Sequence, residues 1–213
     1  MDWTLTQLRS KVRELTGRLS TSDLSNSDLD DKINDFYLYV LPDEIVLPEL
    51  KTFYSLTATD GTGSYTLPST VFKIEKPITV DDGDGDAVSE LGFWEDKDAF
   101  FTEYPEDDSA DEDQPADMLL YGNTIYLRPI PDAAYTVKMA AIQRPTALSA
   151  DSDTVTNPKW GPVIAYGTAI QMFIDAKDVD GASDLSDIYQ FHLNSVDRKN
   201  LLQLANLRSV PSF

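Results

Sequence analysis

The 213-residue chain has 37 carboxylates, a single histidine and no cysteine, so any chemistry it performs must rest on acids. The densest group is Asp82-Gly83-Asp84-Gly85-Asp86, which supplies positions 1, 3 and 5 of a calcium loop. Such a loop needs glycine at position 6 for a sharp turn and a bidentate glutamate at position 12. Those positions hold Ala87 and Phe93, so the motif fails and the run reads as a solvated acidic loop. His192 is the one imidazole that could serve as base for a serine nucleophile, but no serine sits in a Gly-x-Ser-x-Gly elbow. With no thiolate and one imidazole, a catalytic zinc site is poorly supplied. Glycoside cleavage needs two carboxylates at a fixed separation, one of them in an apolar pocket. The acids here cluster instead in loop-like runs. Gly61 and Gly63 open no helix, so they form neither a phosphate loop nor a dinucleotide fingerprint. The residues point away from catalysis, and no cofactor or metal site is expected.

The charge is segregated. Of a net −20, residues 81–117 hold sixteen acids against one base, Lys97, or −15; the rest of the chain has 21 acids and 16 bases, or −5. Nucleic-acid binders show the opposite, a basic patch that displaces counterions from phosphate. Tight DNA binding is therefore excluded as an expectation, whereas an acidic surface would let DNA slide past without sticking. The absence of cysteine excludes disulfide staples. No apolar run reaches the roughly 20 residues of a membrane helix, and the N-terminus lacks a signal peptide's basic start and apolar core. A soluble protein made in the cytoplasm is expected.

The elements that must position these residues follow from periodicity. Leu5, Leu8, Val12 and Leu15 give one stripe of a helix over Trp3 to Arg18, with Arg9, Lys11, Arg13 and Arg18 on its polar faces. Ser27-Asp28-Leu29-Asp30 resembles a capping box, predicting a second helix with Leu29, Ile33, Phe36 and Val40 inside, ended by Pro42. From Thr52 the period becomes two. Short strands are predicted at Thr52 to Thr57, Tyr65 to Pro68, Val71 to Ile74 and Ile78 to Val80. Leu91 to Trp94 and Phe100 to Tyr104 are too aromatic to be wholly solvated; they are expected to pack on the sheet or on a neighbouring subunit.

Thr124 to Arg128 and Tyr135 to Ala141 read as two strands closed into a hairpin by Pro129-Ile130-Pro131-Asp132. The second alternates, with Tyr135, Val137, Met139 and Ala141 on one face. Ser149 to Asn157 then reads as a polar linker. Pro158 lies near the first turn of a helix that is apolar nearly all round, in which Gly167 implies close packing. Asp184 opens a last helix with Leu185, Tyr189, Leu193 and Val196 on one face, and Arg198 to Phe213 is a basic tail. The expectation is an α+β fold: a helical body from 1–51 and 158–213, with a β insertion over 52–157 bearing acidic loops at 81–117.

A Tyr126-Leu127-x-Pro129-x-Pro131-Asp132 run, a tyrosine strand, Arg144-Pro145, and Thr146-Ala147-Leu148-Ser149 before Asp151 and Asp153 together resemble the head-to-tail adaptor proteins of tailed bacteriophages. The Tyr65-x-Leu67-Pro68 step is similar too. The resemblance implies a virion neck protein, assembled in the host cytoplasm, without enzymatic activity. It implies a ring, commonly of twelve copies, between the portal and the tail or nozzle protein, with DNA passing through the lumen and no membrane contact. By order in the chain, Arg198, Lys199, Leu201, Leu202, Leu204, Leu207, Arg208 and Phe213 would touch the portal. Phe93, Trp94, Phe100, Phe101 and Tyr104 would touch a neighbouring subunit or the tail side. The competing readings from the residues alone are a cell-wall-degrading enzyme of glycosidase type and a calcium-dependent binding module.

Overall fold

The computed structural model describes residues 2–45, 47–83, 88–105 and 112–205, with side chains described as far as residue 198. Its architecture is α+β, with N- and C-terminal helices flanking a β module. Helix α1, Leu5–Thr16, starts at a reciprocal capping box: Thr4 Oγ1 accepts from the Gln7 N–H, and the Gln7 side chain accepts from the Thr4 N–H. Gly17 ends it with φ 69°, a conformation that glycine adopts without a Cβ penalty. Leu5, Leu8 and Val12 are fully buried, but Arg13 is buried as well, against the expectation of a polar face. Its guanidinium donates to the Arg18, Ser20 and Leu24 carbonyls and to Asn26 Oδ1, gathering the whole loop between the first two helices.

Helix α2, Asn26–Asp35, is capped by Ser25, two residues before the predicted box. Ser25 Oγ accepts from the Asp28 N–H and donates to the Asp28 carboxylate. The helical path does not stop at Pro42. It widens into a π-turn, Phe36–Val40, in which the Leu41 N–H reaches back to the Phe36 carbonyl, and continues as α3, Leu41–Glu44. Pro42 then falls in the first turn of α3, where a missing N–H leaves nothing unsatisfied. Helix α5, Trp160–Asp175, is buried along most of its length. Helix α6, Val179–Ala205, begins five residues earlier than the sequence suggests, because the Asp178 carboxylate accepts from the Gly181 N–H and turns a chain-breaking glycine into part of a first turn.

Eight strands form two four-stranded sheets. Strands β1, Lys51–Ala58, β3, Val71–Asp81, β4, Ser89–Glu90, and β8, Tyr135–Gln143, make one sheet in the order β1-β8-β3-β4. Strands β2, Ser64–Thr66, β5, Gly92–Trp94, β6, Asp117–Tyr121, and β7, Thr124–Arg128, make the other in the order β2-β7-β6-β5, with β5 and β6 parallel. The two predicted strands at 71–74 and 78–80 are one strand, whose register shifts at Glu75/Ile78, around Pro77. The predicted hairpin is overturned. β7 pairs with β2 and β6, while β8 pairs with β1 and β3, so Pro129 to Asp132 carries the chain from one sheet to the other. Two prolines without N–H donors cannot form a ladder, which suits a crossover better than a two-strand turn. The face alternation of β8 holds: Tyr135, Val137, Met139 and Ala141 are buried.

The inner faces share one apolar cluster, with Ile78, Val80, Val137 and Met139 from the first sheet and Met118, Ile125 and Leu127 from the second. The β module is therefore a sandwich. Helix α4, Lys97–Glu103, capped by the Asp96 carboxylate on the Asp98 and Ala99 N–H groups, packs on β6. Contacts divide the chain into two compact units: Met1–Glu49 with Arg144–Phe213, and Leu50–Gln143.

Candidate interaction surfaces

The aromatic stretch folds mainly onto its own sandwich. Phe100 is fully buried and meets the Trp94 ring edge-on at 5.9 Å and the Tyr104 ring at 5.3 Å. Phe93 lies against the inner cluster. Phe101 packs edge-on against Tyr126 at 5.4 Å and still exposes 37% of its surface, more than any other of the five aromatics. Beneath them Asp117 acts as a polar peg: Oδ1 accepts from Trp94 Nε1 at 2.8 Å and Oδ2 from the Tyr104 hydroxyl at 2.5 Å. Burial and this carboxylate push the Tyr104 phenol up to about 12. Gly92 makes room for the arrangement, since a Cβ there would lie 2.0 Å from Asp117 Oδ1. An acid counted by composition among solvated loop residues is thus a strand residue organising an aromatic cluster.

In the helical unit the stretch Leu148 to Asn157 is no free linker. Asn34 exchanges two hydrogen bonds with the Leu148 backbone, and Tyr37 bonds Thr156 through its hydroxyl at 2.7 Å. The Leu5 N–H donates to the Asp153 carbonyl, and Thr4 and Thr154 form an antiparallel bridge. Arg9 grips Asp30 through two nitrogens at 2.5 and 2.7 Å and Asp151 through the third at 2.5 Å. These bonds raise the Arg9 pKa above its ordinary value, against the opposing effect of burial. Asp153 holds the Ser149 and Ala150 N–H groups, and these backbone donors keep its carboxyl below the usual range. No periodicity marks such a strap. Its signal is the spacing of short acids, Asp151 and Asp153, opposite a helix N-terminus.

The apolar exposure of this unit is concentrated on α5 and α6. Ile174, Val179, Ile188 and Phe191 expose 59%, 76%, 43% and 71% of their surfaces. The Tyr189 hydroxyl donates to Glu44, and its ring meets Phe36 edge-on at 6.2 Å. Burial, then Glu44, raises the Tyr189 pKa. Next to this contact lies a hollow of about 290 Å³ lined by Phe36, Val40, Ile170, Ile174 and Tyr189. His192 sits against the Tyr166 and Phe191 rings, at 5.4 and 5.5 Å, and burial lowers its pKa.

Of the residues expected to touch the portal, Arg198 is exposed on α6, while Lys199, Leu201, Leu202 and Leu204 lie on the helical backbone of α6 beyond the last described side chain. Leu207, Arg208 and Phe213 lie outside the described residues, as do Asp84, Asp86 and Ala87 of the calcium-like run. Among the described residues, no group of three or more His, Asp or Glu side chains is placed to hold a metal ion. Among them, too, no helix is long and apolar enough to cross a membrane.

Set beside known proteins, residues 3–207 match the family model described as SU10 adaptor protein. No curated protein matches the chain. The match spans both compact units, so helices and sandwich belong to one conserved design rather than to a helical protein with a casual insertion.

Proposed function

The chain belongs to the SU10 adaptor protein family, which makes it a bacteriophage adaptor, and we propose that it is the neck ring joining portal to tail. The observation that carries this reading is the family match over nearly the whole chain, to which the unit surfaces add consistent chemistry. Exposed Ile188 and Phe191 on α6, with Arg198 further along the same helix, form the kind of apolar and basic surface that docks on another protein. On this reading Arg198, Lys199, Leu201, Leu202, Leu204, Leu207, Arg208 and Phe213 seat on the portal, with copies arranged as a ring, twelve in number. The sandwich meets neighbours and the tail or nozzle side through the surface around Phe101, with Phe93, Trp94, Phe100 and Tyr104 supporting it from behind. DNA passes through the lumen, repelled by a chain of net charge −20.

Deleting Leu201 to Phe213 tests the portal contact. The truncated protein keeps its thermal transition, because the described cores lie upstream of the cut, and it loses binding to purified portal in a pull-down and by mass measurement. Portal binding that survives the deletion would remove the tail from the interface.

A further inference from the structure

The two outer faces of the sandwich differ in kind. Strand register puts Lys51, Phe53, Ser55 and Thr57 of β1, Lys138 of β8, and Lys73, Glu75 and Thr79 of β3 on the outer side of the first sheet, opposite its buried residues. Phe53 exposes 58% of its surface there, with the Lys138 ammonium 4.7 Å from its ring centre. Lys51 and Lys73 share Glu75 at 3.2 and 3.1 Å, which lowers the pKa of that acid and leaves a net positive charge in the row. The composition supports this. Outside residues 81–117, Leu50–Gln143 has three acids, Asp60, Glu75 and Asp132, and five bases, Lys51, Lys73, Lys76, Arg128 and Lys138. Arg128 is buried in the second sheet, so the four lysines all belong to the first. A basic, aromatic sheet face is thus exposed on a strongly acidic protein.

The outer side of the second sheet carries α4, through Phe100 and through Phe101 on Tyr126. Its exposed surface is Glu95, Asp96, Asp98, Phe101, Thr102 and Glu103. One face offers a phenylalanine among ammonium groups and the other a phenylalanine among carboxylates, on opposite sides of one sandwich. Complementary patches on opposite sides of a molecule make a head-to-tail contact, which closes into a ring when the rotation per copy permits.

We propose that the Lys51–Phe53–Lys73–Lys138 face of one copy receives the Asp98–Phe101–Glu103 face of the next. Phe53 and Phe101 form the water-excluded centre, and the charges form a rim that sets orientation and speeds encounter. This inference rests on the ring reading above and names the surface by which neighbouring sandwiches meet.

The absence of cysteine gives a clean test on the full-length chain. Ser55→Cys and Thr102→Cys are exposed positions beside, not within, the charged pairs. In portal-bound assemblies whose mass is measured first, mixing the two single variants with a short thiol-to-thiol cross-linker should give covalent dimers. Either variant alone should give none, and the double variant should give ladders up to the ring. Reversing Lys51, Lys73 and Lys138 to Glu should raise the concentration needed for assembly by about tenfold or more, an effect of like-charge juxtaposition, and adding Asp98→Lys and Glu103→Lys should restore it. A matching thermal transition in every variant shows that folding is intact. Rings of full mass with no Ser55–Thr102 cross-link, or with indifference to the charge reversals, overturn this inference and leave the ring reading standing. Chains that never assemble, on portal or free, overturn both.

Discussion

Asp117 shows how one side chain can change category between sequence and structure. Within a run of sixteen acids it has no distinguishing neighbour, yet it bonds the indole N–H of Trp94 and the hydroxyl of Tyr104. Replacing it with alanine strands two half-buried donors, and a loss of about 1–3 kcal/mol in denaturant unfolding is expected. The same substitution should lower the Tyr104 titration midpoint from about 12, followed by ultraviolet absorbance, since the carboxylate contributes to holding the phenol neutral. Because the folded pKa is raised, the stability tied to Tyr104 is complete below its unfolded value near 10 and is lost as pH rises through about 12. His192 runs the other way. Burial against Tyr166 and Phe191 lowers its pKa, so below about pH 6.5 the unfolded state takes up the proton more readily and stability falls. His192→Phe keeps an aromatic ring at the site and should flatten the slope of unfolding free energy between about pH 7 and 5.5 relative to the parent. An unchanged slope would place the acid sensitivity in the carboxylates instead.

At the scale of elements, the sequence was most informative where periodicity reports burial directly. The stripes Leu5-Leu8-Val12 and Leu29-Ile33-Phe36, and the alternation of β8, are all inside. Gly167 was legible too: its all-apolar helix implied close approach, and a Cβ at that position would lie 2.1 Å from the Phe36 ring. Gly167→Ala should therefore destabilise the protein by about 1–3 kcal/mol despite alanine's better helix propensity, as thermal unfolding can show, because the ring belongs to a packed π-turn and cannot move freely. A neutral or stabilising result would mean the ring yields. What periodicity could not show is which strand pairs with which. β7 and β8 are each plausible alone, and only the sheet order separates them. Capping was missed for a related reason. Ser25 and Ser27 are chemically equal candidates, and Asp178 rescues a Gly181 that reads as a break. The strap from Leu148 to Asn157 has no pattern at all, since its order comes from partners on α1 and α2 more than a hundred residues away.

For the whole molecule, the chain enters and leaves the sandwich at one place. Lys51 at the start of β1 pairs with Ile142 near the end of β8, so the ends of Leu50–Gln143 are neighbouring strand residues. A segment whose ends meet can be inserted into a host fold, or removed from it, without stretching either. Its apolar cluster draws every residue from within the segment, and both sheets close on that cluster. Excised as residues 50–143, the β module should fold alone, with a single cooperative unfolding transition and a sheet-type circular dichroism spectrum. Its stability should rise with added salt, because 19 acids against six bases repel one another in a fold of this size. The charge argument fixes the sign: added salt screens the repulsion among residues 81–117 more than it weakens the few lysine pairs on the opposite sheet. An excised module that is unfolded at every salt concentration would show that the helical unit supplies something the sandwich lacks. The family match would then describe one cooperative fold rather than two joined by a pair of adjacent strands.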